Sequence, residues 1–182
     1  MRRLLLALIT ALALTAALVA PSAQAASTAY PGSMASTGDS ITRAFDVKSS
    51  GCFLSDCPQY SWSTGAGVNS QYARLLALNP AISGHNLNDA QTGAKMSALA
   101  GQLGTAAAQN VDYVTILMGA NDLCTSSTST MTPTKTFRSQ FGAALSQFTT
   151  ARPGAKVFVS SIPNIYQLWS LLHRNFSAVF TW

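Results

Sequence analysis

The stretch from Val111 to Met118 limits the fold more than any other part of this sequence. It reads Val-Asp-Tyr-Val-Thr-Ile-Leu-Met, an almost continuous apolar run with several β-branched residues. Such a run is typical of a strand that is buried on both faces of a parallel sheet. Parallel strands need long crossover connections, which are usually helices, so the chain should alternate strands with helices.

The rest of the chain supplies this alternation. Three further stretches read as strands, and four stretches carry apolar residues three and four positions apart, the spacing of a helix face. The predicted strands cover about 34–38, 85–90 and 156–162, the last as a second buried strand, and the predicted helices cover 70–78, 95–108, a segment with the buried stripe Phe137, Phe141, Ala144, Leu145 and Phe148, and 165 to about 179. This order predicts an α/β protein with a three-layer α/β/α sandwich around a parallel sheet.

Residues 1–25 have the form of a secretory signal peptide. Two arginines follow Met1, an apolar run extends to Ala20, and the segment ends in Ala-Gln-Ala, which fits a signal-peptidase site. A transmembrane anchor is the alternative, because the apolar run is close to long enough to span a bilayer. The Ala-x-Ala ending favours cleavage, so we expect a secreted mature domain of residues 26–182 that keeps no membrane anchor.

Charge and motif content argue against several classes of function. Nine basic residues and six aspartates remain after residue 25, there is no glutamate, and the basic residues are scattered singly. A nucleic-acid partner is therefore not expected, because no basic stripe could follow a phosphate backbone. No cluster of His, Cys or acidic residues has metal-ligand spacing, and no Walker-type motif is present, so we expect no metal and no cofactor.

Three cysteines are an odd number for an exported chain. Cys52 and Cys57 lie five residues apart in the irregular segment 46–70, a spacing that can close a small disulfide loop. Cys124 is then left over. A reactive thiol is the alternative interpretation, but no base lies nearby in the sequence, and we expect its partner to lie beyond residue 182.

Polar residues follow three of the predicted strands. The stretch Gly38-Asp39-Ser40 follows the first strand and should open toward a helix, Gly93 lies in the turn after the second, and Asn121 with Asp122 follows the third. Because the C-terminal ends of parallel strands meet at one edge of a sheet, these groups should lie close together. A serine hydroxyl, a glycine N–H and an asparagine amide are groups that an acyl-transfer enzyme uses.

These three stretches resemble blocks I, II and III of the SGNH (GDSL-type) hydrolases, which are secreted esterases and lipases of flavodoxin-like fold. The resemblance covers about residues 34–170 and extends to the disulfide-bearing branch of the family. It implies that Ser40 is the nucleophile. It also implies that the Ser40 N–H, the Gly93 N–H and the Asn121 side chain form an oxyanion hole.

Two aspartates of these blocks also have plainer interpretations. Asp39 could be an acid or a metal ligand, but we expect it to cap the turn or helix that follows Ser40. Asp122 is expected to be a structural hydrogen-bonding partner of its surroundings. Gly38, Asp39 and Asp122 are thus interpreted as supporting residues.

The sequence departs from the family where the base is concerned. The family takes its base from a later Asp-x-x-His block, which is absent here, and the two histidines are His85 and His173. A loop position is expected for His85 and a helix-face position for His173. Together with the unpaired Cys124 and a sheet that ends early, this predicts that the chain is the N-terminal portion of a longer hydrolase, with a fold incomplete at its C-terminal end.

The predicted function is ester hydrolysis through an acyl-enzyme on Ser40, by a monomer acting on a small, lipid or carbohydrate ester. Short-chain esters and acetylated sugars are favoured over long-chain lipids, because no apolar lid is evident. The alternatives are a non-catalytic fragment and a flavodoxin-like module that binds a small ligand at the same strand ends.

Overall fold

The computed structural model describes residues 30–47 and 51–176 and contains one parallel sheet of four strands. The strands are β1 (Met34–Gly38), β2 (Asn86–Asn88), β3 (Tyr113–Leu117) and β4 (Lys156–Val159). Their order across the sheet is β2-β1-β3-β4, and the register of the central pair runs from Met34 opposite Tyr113 to Gly38 opposite Leu117. The parallel α/β architecture predicted from the sequence is confirmed.

Five α-helices accompany the sheet within the described ranges. They are α1 (Gln71–Leu78), α2 (Leu99–Ala108), α3 (Ala120–Leu123), α4 (Thr134–Ala151) and α5 (Ile165–Leu172). The Ser70 hydroxyl caps α1 by accepting the Ala73 N–H at 3.0 Å, and α1 ends before Pro80. Single 3-10 turns occur at Pro58–Tyr60, Pro80–Ile82, Met96–Ala98 and Thr128–Thr130.

One face of the sheet carries the main apolar core. The alternating strand residues Ala35, Val114 and Ile116 point into it, and α2 and α4 cover it with Leu103 and Phe148. Alternation follows from the two-residue period of a strand, which sends successive side chains to opposite faces. Helices α2 and α4 also pack against each other, so this layer is built from the two helices whose apolar stripes the sequence predicted.

The opposite face of the sheet is lined partly by hydroxyl groups. Ser36 Oγ lies 3.2 Å from Thr64 Oγ1, and Ser63 Oγ lies 2.7 Å from Thr115 Oγ1, all four residues being buried. Asn88 Nδ2 also donates to Thr64 Oγ1 at 3.1 Å. We call these five residues the hydroxyl layer. Because each buried polar group has a partner, the layer avoids the cost of unpaired polar burial.

Further along that face, α1 forms a small apolar cluster. Tyr72 packs there with Met34 and Ile82. The face of the sheet opposite the main core is therefore covered by α1 together with the irregular segment that precedes it.

The expectation of a second buried strand at 156–162 is wrong. Strand β4 covers only Lys156–Val159, and Phe158 and Val159 are 42% and 49% exposed. In the described sheet, β4 pairs with β3 on one side, and no described strand pairs with its other side. The helix predicted for 165–179 also begins at Ile165 but ends at Leu172.

The predicted signal peptide, residues 1–25, lies outside the described residues. Within 30–47 and 51–176, no helix has both the length and the apolar character needed to cross a membrane.

Candidate active site

Three adjacent strands bring the predicted site residues to one edge of the sheet. Ser40, Gly93 and Asn121 follow the C-terminal ends of β1, β2 and β3, and β1 lies between the other two strands. Ser40 is half-buried, and Gly93 is exposed. The sheet topology therefore places a hydroxyl group, a backbone turn and a side-chain amide after three neighbouring strand ends.

Gly38 is the last residue of β1, the strand that leads to Ser40. Its φ is +148°, and a Cβ atom there would collide with the carbonyl oxygen of Leu117 and the hydroxyl of Thr42. Only glycine combines this conformation with so little space. The close approach holds the end of β1 tightly against β3.

Gln102 is a supporting residue that the sequence interpretation missed. From the buried face of α2, its Oε1 accepts the Gly38 N–H at 2.7 Å and its Nε2 donates to the Gly38 carbonyl at 2.9 Å. A glutamine within the apolar stripe formed by Leu99, Leu103 and Ala106 was the available signal. A polar residue at such a position needs a buried partner, and here the partner is the residue two before Ser40.

Asp39 caps the turn that carries Ser40. Its Oδ1 accepts the Ile41 N–H at 3.0 Å, and its carbonyl accepts the N–H groups of Thr42 and Arg43. The predicted helix after Ser40 is wrong, however, because residues 40–46 form turns. Ala44 has a φ of +50°, and the Arg43 carbonyl accepts the Cys57 N–H, so the helical pattern stops after one turn.

Asp39 and Asp122 are two buried carboxyl groups beside this edge. Each has one buried oxygen, Oδ2 of Asp39 and Oδ1 of Asp122, that has no hydrogen-bond partner among the described residues. Burial raises the pKa of Asp39 above its usual value, the nearby Asp122 adds to the rise, and the N–H groups of Ile41 and Ala120 oppose it. Asp39 therefore releases its proton at a higher pH than an exposed aspartate does.

Gly93 lies in a tight turn of residues 91–94. The Ala94 N–H donates to the Gln91 carbonyl at 3.0 Å, and the φ of Gly93 is +80°. A positive φ at the third residue is the mark of a type II turn, in which glycine is favoured. The turn is joined to β1 because the Gln91 N–H donates to the Gly38 carbonyl at 3.1 Å.

Asn121 links the third strand end to this turn. Its Nδ2 donates to the Ala94 carbonyl at 3.0 Å. A side-chain amide has two N–H groups, so this contact orients the amide and leaves the second N–H for another acceptor. Asp122, the next residue, accepts the Met96 N–H through Oδ2 at 2.8 Å, as expected for a structural hydrogen-bonding partner.

Neither histidine of the sequence hydrogen-bonds to Ser40. His85 precedes β2, and its carbonyl accepts the Met34 N–H, which places it at the opposite edge of the sheet. His173 follows α5, where its ring stacks on Trp169 with centroids 4.3 Å apart and its Nδ1 lies 2.9 Å from the Trp169 carbonyl. The structure thus places Ser40, Gly93 and Asn121 after the C-terminal ends of three adjacent strands, and neither His85 nor His173 hydrogen-bonds to the Ser40 hydroxyl.

The cysteine pairing follows the sequence interpretation. Cys52 and Cys57 form a disulfide, and Cys124 is a free thiol of intermediate exposure at the end of α3. In the described part of the chain, no three His, Cys, Asp or Glu side chains are grouped as a metal site would require.

An apolar cavity lies next to the third strand end. It has a volume of about 280 Å³, and its lining residues are Met96, Ile116, Met118, Phe137, Phe141, Val159, Ser160, Ser161 and Ile162. Two of them, Phe137 and Ile162, approach Gly119 so closely that a Cβ there would lie 3.1 Å and 3.3 Å from their atoms. The cavity therefore lies beside Gly119, which precedes Asn121 by two residues.

The chain is similar to a family of known proteins. A family model described as the GDSL-like Lipase/Acylhydrolase family matches residues 37–179. Among solved structures, the chain is similar to a candidate GDSL-like lipase from Parabacteroides merdae ATCC 43184, with 23% identity and a TM-score of 0.49. That match covers 69% of this chain and 57% of the other, so the chain spans little more than half the length of that structure. The search among curated proteins gave no match.

Proposed function

Because this chain belongs to the GDSL-like lipase/acylhydrolase family, we propose that it is a carboxylic ester hydrolase whose nucleophile is Ser40. The observation that carries the proposal is the convergence of Ser40, Gly93 and Asn121 on three adjacent strand ends. Family membership supports hydrolysis in general. The ester specificity and the residue roles are our inference from the site.

In the proposed mechanism, Ser40 Oγ attacks the ester carbonyl carbon and its proton passes to a base. The carbonyl oxygen becomes an oxyanion, held by the N–H groups of Ser40 and Gly93 and by the free amide N–H of Asn121. Collapse of this intermediate breaks the bond to the alcohol, which leaves with a proton. Water then hydrolyses the acyl-enzyme and regenerates the Ser40 hydroxyl.

His173 is the histidine to test as the base. His85 does not fit, because it lies at the opposite edge of the sheet. His173 follows α5, which packs against α3, the helix that carries Asn121. Its ring stacks on Trp169 and its Nδ1 lies beside the Trp169 carbonyl, so a catalytic role requires a contact with Ser40 that His173 does not make in this structure.

The substrates we propose are small esters, including short-chain acyl esters and acetylated sugars. The loops beside the site are polar and built from small residues, and the apolar cavity near Gly119 could receive only a modest acyl group. We also propose that residues 26–182 belong to a secreted, monomeric protein. The disulfide supports this compartment, since disulfides persist in oxidising environments.

The test is turnover of p-nitrophenyl acetate together with covalent labelling of Ser40 by an organophosphonate. Ser40→Ala should lower kcat by ~10³-fold or more and abolish labelling, because the nucleophile is lost. Ser146→Ala, at an exposed serine of α4, is the matched control and should leave both unchanged. His173→Ala tests the base in the same assay.

Several results would contradict the proposal. Turnover that survives Ser40→Ala would show that another group attacks the ester. If the protein binds small esters but neither hydrolyses them nor reacts with the organophosphonate, the ligand-binding alternative is favoured. The absence of a hydrogen bond between Ser40 and a histidine is the observation that supports this alternative.

A further inference from the structure

We propose that Asp56 is a positioning residue that acts through Thr92 to orient the Gly93 N–H toward Ser40. This inference rests on the proposed function, in which that N–H is an oxyanion donor. The carboxylate of Asp56 joins two segments of the site. Its Oδ1 accepts the Thr92 hydroxyl at 2.5 Å, and its Oδ2 pairs with Arg43 Nε at 2.9 Å.

The turn of residues 91–94 explains why Thr92 matters. Type I and type II turns differ in the orientation of their central peptide, which here joins Thr92 to Gly93. Rotation of that peptide exchanges the directions of the Thr92 carbonyl and the Gly93 N–H. A glycine at the third position permits both orientations. The turn therefore needs something to select one of them.

Packing does not make that selection. Thr92 and Gly93 are both exposed, and a Cβ atom added at Gly93 would meet nothing within 4 Å. The two ends of the turn are held, by the Gln91 N–H on the Gly38 carbonyl and by the Ala94 carbonyl on Asn121. In the middle of the turn, the hydrogen bond from Thr92 to Asp56 is the contact that restrains the central peptide.

Asp56 is itself well held. It lies within the loop closed by the Cys52–Cys57 disulfide, and both sulfur-bearing residues are buried. Arg43 fixes the second carboxylate oxygen, and the Arg43 carbonyl accepts the Cys57 N–H at 3.1 Å. Since Arg43 belongs to the turn that begins at Ser40, Asp56 connects the nucleophile turn to the Gly93 turn.

This contact should matter more for geometry than for stability. The side chains of Arg43 and Asp56 are 23% and 31% exposed, and surface ion pairs contribute little to folding. Loss of the Asp56 contact is therefore expected to affect catalysis while the fold remains intact. That difference separates a positioning role from a merely structural one.

Four single variants, and the double variant that combines Thr92→Val with Asp56→Ala, test the role in the full chain. Thr92→Val removes the hydroxyl and keeps the β-branched shape, and Asp56→Ala removes the acceptor. Thr92→Ser keeps a hydroxyl as the conservative control. Asp112→Ala is the matched surface control, since Asp112 pairs with Arg152 at 3.9 Å near the N-terminal end of β3.

We expect Thr92→Val and Asp56→Ala each to lower kcat for p-nitrophenyl acetate about 10- to 100-fold, with KM changed less than about twofold, because an oxyanion donor acts mainly on the transition state. The double variant should be no slower than the slower single one, since both remove one contact. Thr92→Ser and Asp112→Ala should stay near wild type. All thermal midpoints should agree within about 3 °C.

The amide NMR signal of Gly93 gives a readout that does not depend on catalysis. In Thr92→Val it should broaden or split through exchange between two peptide orientations, whereas in wild type and Thr92→Ser it should remain single. An unchanged Gly93 signal in Thr92→Val overturns the role of Asp56, as does an equal loss of kcat in Thr92→Ser and Thr92→Val. If wild type neither turns over the ester nor reacts at Ser40, the proposed function fails, and the Gly93 signal alone decides the role of Asp56.

Discussion

At the scale of single residues, the site combines a strict steric requirement with an electrostatic cost. Gly38 cannot carry a side chain, because a Cβ would collide with the Leu117 carbonyl. Asp39, the next residue, is buried with one carboxylate oxygen unpaired in the described structure. The turn therefore gains a capping acceptor for the Ile41 N–H but must accommodate a carboxyl group away from water.

Asp39→Asn should make the protein more stable at neutral pH. A raised native pKa means that the folded state holds its proton more tightly than the unfolded state. The wild type should thus lose stability as pH rises from about 3.8, the ordinary value, through the raised native pKa. Asparagine stays neutral and keeps an oxygen for the Ile41 N–H, so its advantage should grow over that pH range.

Urea unfolding of both proteins between pH 3 and pH 8 measures this difference. Asp39→Ala is the control, because it also removes the charge but loses the turn cap and should be destabilised at every pH. A stability difference between wild type and Asp39→Asn that stays constant with pH would contradict the argument.

At the scale of elements, the parts predictable from the sequence are those with strong periodicity or a continuous apolar run. Strands β1 and β3 and helices α1 and α2 lie close to their predicted bounds, and α4 contains the whole of its predicted apolar stripe. The errors occur where neighbours decide the outcome. The segment after Ser40 does not continue as a helix, because the Arg43 carbonyl accepts the Cys57 N–H instead. The exposure of β4 depends on the order of the strands in the sheet, which no local sequence pattern specifies.

The same reasoning applies to the site. The placement of Ser40, Gly93 and Asn121 after three adjacent strands could be predicted, because strand ends in a parallel sheet share one edge. Their catalytic roles stay predictions. The roles of Gln102 and Asp56 could not be predicted, because each depends on a contact with a residue at least 36 positions away. Sequence spacing carries no direct information about such contacts.

Helix α2 supports the end of β1 through one side chain, and Gln102→Leu should show this. The substitution keeps the size of the side chain but leaves the buried Gly38 N–H without its acceptor, so we expect a loss of about 1–3 kcal/mol in the free energy of unfolding. Denaturant unfolding measures the loss. Gln147→Leu on the exposed face of α4 is the control and should stay within about 0.5 kcal/mol of wild type; equal effects of the two changes would count against the interpretation.

At the scale of the whole molecule, the disulfide should act mainly by restricting the unfolded chain. Cys52 and Cys57 enclose a small loop away from the main core under α2 and α4. Replacing both with serine should lower the free energy of unfolding by about 2 kcal/mol, the value for so short a loop in the chain-entropy model. The fold itself should persist.

Thermal unfolding of the double serine variant, compared with that of Cys124→Ser, checks this expectation. Cys124 is unpaired among the described residues, so its replacement should change the midpoint little. If Cys124→Ser destabilised the protein as much as loss of the disulfide, the assignment of these roles would be wrong.

The hydroxyl layer should also shape how the fold responds to temperature. Exposure of apolar surface raises the heat capacity of unfolding, whereas exposure of polar surface lowers it. A sheet face packed with the paired hydroxyls of Ser36, Thr64, Ser63 and Thr115 exposes less hydrocarbon on unfolding than an aliphatic face would. Its stability curve should consequently be flatter, so that cooling and moderate warming both change the folded population only gradually.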